Sequence, residues 1–202
     1  MPSIARIACI VEGHGEVETL PILVRRIGQA LDPTLYIDVS APIRIPRSKL
    51  LKQGELERAS NLAALRTGGS GGTVVLIDAD DDCPAALAPV LLQRMASGHP
   101  IQPSCAILAK AEFESWYLAA AISLRGQRGL PLDLYPPNEP EDIRNAKGWL
   151  SNQMTGTRAY SETLDQPALA ATFDMDAAAA APSFDKFRRD VRRLLMSVRV
   201  DH

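Results

Sequence analysis

A chain of 202 residues, 46% hydrophobic and 23% charged, has a globular composition and can bury a core without disulfide support, which excludes disorder along its whole length. Its net charge of −2 and pI near 5.9 exert no global pull on nucleic acid, so any such binding must rest on a local basic patch or on metal ions. Cys9, Cys83 and Cys105 are widely spaced with no CxxC pair, which speaks against zinc and reads as buried thiols.

Met1 to Ile10 shows no signal-peptide pattern, and no 18-residue apolar run is free of charge, so the expectation is a soluble cytoplasmic protein with no membrane partner. Ile4 to Val11 reads as the first strand. It runs into Glu12-Gly13-His14-Gly15-Glu16, where the glycines permit a tight turn. A helix is predicted from Glu16 to Leu31, with Leu20, Leu23, Val24, Ile27 and Leu31 on one face, and Pro21 near its first turn costs little. Tyr36 to Ile45 contains the second strand. The basic residues Arg44, Arg47, Lys49 and Lys52 read as a solvated loop. Gly54 to Leu65 is helical, and Gly68 to Gly72 is a flexible stop.

The stretch Gly71 to Asp82, GGTVVLIDADDD, is the third strand, an apolar run that ends in four acids. Val74 to Ile77 do not alternate with polar residues, so both faces are covered, as in a parallel α/β sheet. A helix from Ala85 to Met95 and a fourth strand from Ser104 to Leu108 continue the alternation. Ala111 to Leu124 is predicted helical, with Phe113, Trp116, Tyr117, Ala120 and Leu124 turned to the core. After Gly126 the pattern changes: Gly129 to Pro140 is Pro-rich, and helices follow at Glu141 to Gln153, Ala168 to Phe173 and Phe184 to Val200. In the last of these, Lys186, Arg189 and Arg193 form an outward basic face, either solvated or able to track a phosphate backbone. The expected organisation is an α/β domain over residues 1–126, with a mainly parallel four-stranded sheet flanked by helices. A small helical C-terminal extension, 127–202, packs on it.

On an extended segment Asp78 and Asp80 share one side, so two carboxylates can converge on one cation. Hard ions such as Mg2+ take oxygen ligands and need only one or two carboxylates from protein. The competing reading makes these acids turn and cap residues, with Asp82 capping the helix that starts at Pro84. The carboxyl edges of adjacent parallel strands bring Glu12 together with Asp78 and Asp80, and Asp82 lies close by. Clustered carboxylates repel unless a cation sits among them. Glu112 and Glu114 follow strand four and reach the same edge, or act as first-turn acids on the helix dipole, which suits Glu114 better. His14 reads as a solvated loop residue within reach of a proton-transfer role.

Val11-Glu12-Gly13 with Glu16, followed by Asp78-x-Asp80 after a hydrophobic strand, resembles the Toprim domain of topoisomerases, DnaG-type primases and overcoming-lysogenization-defect (OLD) nucleases. More closely, the chain resembles an uncharacterised Toprim-like family of bacterial proteins. Its further marks stand here as Glu112-Phe113-Glu114-Ser115-Trp116, Lys147, Tyr160-Ser161-Glu162-Thr163-Leu164-Asp165 and Ser183-Phe184, nearly spanning the chain. The resemblance implies a Toprim-like fold, Glu12 as general acid or base, and Asp78 and Asp80 holding Mg2+ or Mn2+. Glu12 itself, Asp82 and Glu112 are the further candidate ligands. Glu16 and Lys147 are further catalytic candidates, Lys147 in the cationic part known from OLD-type nucleases. One departure is Gly15, where close relatives often carry Thr and so a hydroxyl for a cap or a substrate contact.

The leading expectation is a Mg2+-dependent phosphodiester hydrolase, a nuclease acting on nucleic acid. A second is a catalytically inactive Toprim-like binding module or partner of an ATPase, in a phage-defence or DNA-repair system. A third, a phosphoacceptor receiver domain using Lys110, is weaker because its paired acids should follow strand one.

Overall fold

In the computed structural model, which describes residues 3–156 and 158–200, the strand–helix alternation builds one parallel sheet between two helical layers. In chain order, the first half comprises β1 (Ile4–Val11), α1 (Gly15–Leu31), β2 (Tyr36–Val39), β3 (Ile43–Arg44), α2 (Arg47–Leu50) and α3 (Glu55–Arg66). Then come β4 (Gly72–Asp78), α4 (Pro84–Gly98), β5 (Ser104–Ala109), α5 (Ser115–Ala119), α6 (Ala146–Gln153), α7 (Asp165–Ala170), α8 (Met175–Ala178) and α9 (Pro182–Val198). The strand order is β2-β1-β4-β5, with β3 also on β1, and every pairing is parallel. This α/β architecture with a helical C-terminal segment is consistent with a Toprim-like fold.

The sheet has five strands where the sequence predicts four, because the second predicted strand divides. β2 pairs with the first half of β1 and β3 with its end, and Pro42, which cannot donate to a ladder, lies between them. Both faces of the sheet are buried. On β1, Ala5, Ile7, Cys9 and Val11 belong to one apolar cluster, and Ala8 and Ile10 to the other. On β4, Val74 and Leu76 oppose Val75 and Ile77 in the same way, which is why the run lacks polar alternation. α1 and α9 cover the first face, and α3 and α4 the second.

Two predicted helices are shorter than their apolar spacing suggests. Ala111 adopts φ 58°, which delays α5 until Ser115, and a 3-10 turn takes over from Ala121 to Leu124. α6 starts at Ala146, where Asn145 accepts from the Gly148 N–H as its cap. Glu141, expected within that helix, turns inward and accepts from Ser183 N–H at 2.9 Å, at the start of α9.

The predicted C-terminal extension shares the core of the sheet, since residues from Ala146 to Val198 join the same apolar cluster as β1 and β4. Aromatic rings make the joint: Trp116 stacks on Phe187 with centroids 5.1 Å apart and meets Phe184 edge-on at 5.2 Å. The Trp116 indole N–H donates to Ser183 Oγ at 2.7 Å. Among the described residues no helix is long and apolar enough to cross a membrane. Phe187→Ala is expected to cost about 3–5 kcal/mol, measured as a lower urea midpoint for the whole chain; an unchanged midpoint would show that the aromatic joint is not part of the core.

Candidate active site at the carboxyl edge of the sheet

The parallel register pairs Val11 with Leu76, so β1 and β4 end at the same edge. Glu12 and Asp78 therefore meet. Glu12 Oε1 accepts the Asp78 N–H, and Asp78 Oδ1 accepts the Phe113 N–H at 2.7 Å. Each carboxylate is fastened to the backbone of the next element.

Behind this pair lie two further carboxylates. Glu16, in the first turn of α1, is only 6% exposed, and Glu114 is completely buried. Glu114 Oε1 accepts from Tyr160 OH at 3.0 Å and from Gln166 Nε2 at 3.2 Å, and the same Nε2 donates to Glu16 Oε1 at 3.1 Å. Among the described residues, Oε2 of each is buried without a partner. Glu114 is thus an inward acid of the cluster and not the first-turn dipole acid that the sequence favours. Gln166 and Tyr160 have no chemical signal of their own in the sequence.

Asp80 and Asp82 take a different course. The extended backbone ends with β4, and Asp80 sits at φ 50°, so the alternation that would put it beside Asp78 is broken. Asp80 instead lies 3.4 Å from Arg47 Nε, and Asp82 pairs with Arg47 Nη2. Asp82 does not cap α4, whose N-cap residue is Cys83 without a side-chain bond. Arg47 also donates to the carbonyls of Asp78 at 3.1 Å and Ala79 at 3.2 Å. Arg44, Lys49 and Lys52 are exposed, as the solvated reading of the basic stretch expects, but Arg47 departs from it and braces the tip of β4. Arg44 Nη1 reaches the Glu12 carbonyl at 3.4 Å.

Glu112 accepts the Lys147 N–H at 3.2 Å, and Lys147 Nζ pairs with Glu162 at 2.8 Å. Glu112, Asp80, Asp81, Ala111 and Arg144 line a cleft of about 140 Å³ beside the cluster. His14 is exposed at the start of α1.

Burial pushes the Glu12 carboxyl up to about 6, with repulsion from Glu16 and Asp80 added and the Asp78 N–H opposing. Burial lifts Glu114 to about 7 against the pull of Lys147. Asp78 rises well above the usual carboxylate range through burial, then through Glu114 and Glu12. Burial would lower Lys147, but Glu114, Glu162 and Asp78 together hold it above its ordinary value. The four carboxylates feel one another, and Lys147 is the cation set against them.

Glycine at position 15 has a local cause. A Cβ there would fall 2.0 Å from Gln166 Oε1 and 2.9 Å from the Glu162 carbonyl. The space that a Thr side chain needs is filled by the segment from Glu162 to Gln166.

Among the described residues no group of three or more His, Cys, Asp or Glu side chains is arranged to hold a metal ion. The gathered acids nonetheless offer oxygen donors, the type that a hard divalent ion takes. All are carboxylate oxygens, burial and neighbouring acids disfavour the ionised forms of Glu12, Asp78 and Glu114, and Glu16 and Glu114 each keep one buried oxygen unpartnered. Fold and site together define an α/β protein with an acidic, lysine-flanked site at the carboxyl edge of a parallel sheet. Compared with known proteins, the chain matches no family model, no curated protein and no solved structure.

Gly15→Thr is expected to lower stability by about 1–3 kcal/mol through overpacking, read from the urea midpoint; wild-type stability would mean that the Glu162 to Gln166 segment gives way freely. The raised carboxyls set a pH dependence. Glu12 and Glu114 bind protons more tightly folded than unfolded, so their contribution is complete below pH 4.5 and is lost as pH rises through about 6 and about 7. The melting temperature of metal-free protein should fall across that window, and Glu114→Gln should flatten the fall; an identical slope in the variant would contradict the assignment.

Proposed function

We propose that the chain is a Mg2+- or Mn2+-dependent phosphodiester hydrolase acting on nucleic acid, a nuclease of Toprim-like type. The observation that carries this reading is the gathering of Glu12, Glu16, Asp78 and Glu114 beside Lys147, at the edge where open α/β sheets take ligands. Glu12, Glu16 and Asp78 would hold the ion, with Glu114 behind them. Once bound, such an ion neutralises charge on a phosphate and acidifies a water molecule.

The chain's own groups supply the rest. Glu12 is only partly buried, and a bound cation would keep its carboxylate ionised, so it could accept a proton as general base. Lys147 offers an ammonium to the charge that develops on a phosphate oxygen, and Glu162 holds it in place. Arg44 and Arg47 flank Glu12 and the β4 tip, where a nucleic-acid backbone would pass. A reducing cytoplasm accords with three free cysteines, two of them buried.

One observation favours the second reading, an inactive binding module or ATPase partner. Glu12, Asp78, Asp80 and Asp82 all have protein donors already, so the edge holds together without an ion.

Mutation of Glu12 separates the two readings. With Mg2+ or Mn2+ the wild type should melt higher, by about 2.7 kcal/mol of added stability at about 100 times the dissociation constant. Glu12→Gln should stay folded, keep weaker metal binding and lose cleavage by about 100- to 10,000-fold. Undiminished cleavage in the variant would remove Glu12 from the chemistry. Wild type inert on both DNA and RNA would instead select the binding module.

A further inference from the structure

The segment after α6 enters the site from outside the sheet. Asp165 is fully buried and accepts from Arg128 Nε at 2.9 Å, from Arg158 at 2.8 and 3.0 Å, and from the Ser161 N–H at 2.8 Å. That anchor seats Gln166, which exposes no surface. Its backbone carbonyl accepts from Tyr117 OH at 2.6 Å, and its Oε1 accepts from Thr19 Oγ1 at 3.3 Å.

A primary amide has two N–H donors, and here both go to carboxylates, Glu16 Oε1 and Glu114 Oε1. The reverse orientation would set the amide oxygen against two acids. Each carboxylate therefore has one oxygen tied to the amide, while the other, Oε2, stays buried and unpartnered among the described residues. The free oxygen of Glu16 lies over the turn that follows Glu12, 2.2 Å from where a Gly13 Cβ would stand. Close packing of Gln166 Oε1 over Gly15 holds the amide in this position.

We propose that Gln166 is a positioning residue that sets the spacing of Glu16 and Glu114, binding one oxygen of each and leaving the other oxygen of Glu16 to a divalent cation. The inference rests on the cation reading of the site. It makes the C-terminal segment a working part of that site.

Partners that orient metal ligands without touching the metal are worth about 10- to 100-fold in metal affinity. The test is calorimetric titration of the full chain with Mn2+, comparing wild type, Gln166→Leu and Leu91→Ala. Leu91 is buried on the opposite face of the sheet, so its variant loses stability without touching the network. Gln166→Leu should bind Mn2+ about 10- to 100-fold more weakly, while Leu91→Ala melts lower but keeps wild-type affinity. Should Gln166→Leu not fold, Gln166→Met, which also lacks both donors, gives the same reading. Wild-type affinity in the Gln166 variants would overturn the inference alone. An equal loss of affinity in Leu91→Ala would reduce Gln166 to a structural residue. Wild type that binds no Mn2+ would overturn the cation reading and this inference with it.

Discussion

Glu12, Glu16, Asp78 and Glu114 would drive one another apart if nothing held them, and much of the surrounding structure serves to hold them. Each is fastened by a donor from another part of the chain. Asp78 N–H holds Glu12, Phe113 N–H holds Asp78, Tyr160 OH holds Glu114, and the Gln166 amide holds Glu16 and Glu114 together. Burial raises Glu12, Asp78 and Glu114, so the cluster retains protons that exposed acids would have released, and its repulsion is tempered. Lys147 supplies the opposing charge.

Such a cluster needs a rigid frame. The parallel sheet provides it, because burial on both faces leaves β1 and β4 no freedom to slip, and a slip of one residue would exchange their two apolar sets. The aromatic joint of Trp116, Phe184 and Phe187 then fixes the C-terminal helices on the same core, with Gln166 among them. Glu16 and Gln166 are 150 positions apart, yet their contact is as direct as any within a helix.

Near the buried carboxylates lie more exposed ion pairs: Arg144 with Asp81, Lys110 with Asp142 and Lys147 with Glu162. Exposed pairs of this kind contribute little to stability, so a phosphate can replace the acid at small cost. On the proposed function, this is how a chain of net charge −2 meets a polyanion: the cations are already at the edge, each held by a partner it can exchange.

The sequence by itself determined the strand–helix alternation, the two-sided burial of the acidic-tipped strand and the placement of Glu12 beside Asp78, because these follow from local apolar pattern and from the rule that parallel strands share an edge. It also marked Glu16 and Lys147 through their motifs. Local pattern did not carry the split of the second strand at Pro42, the turn at Ala111 or the fate of Asp80, whose positive φ sends it to Arg47. Only the tertiary structure decided that Arg47 is a brace, that Glu114 is an inward acid and that Gln166 joins two carboxylates. The physical reason is that a polar side chain's role is set by what it bonds to, and these partners lie 31 to 150 positions away, where no periodicity in the chain points to them.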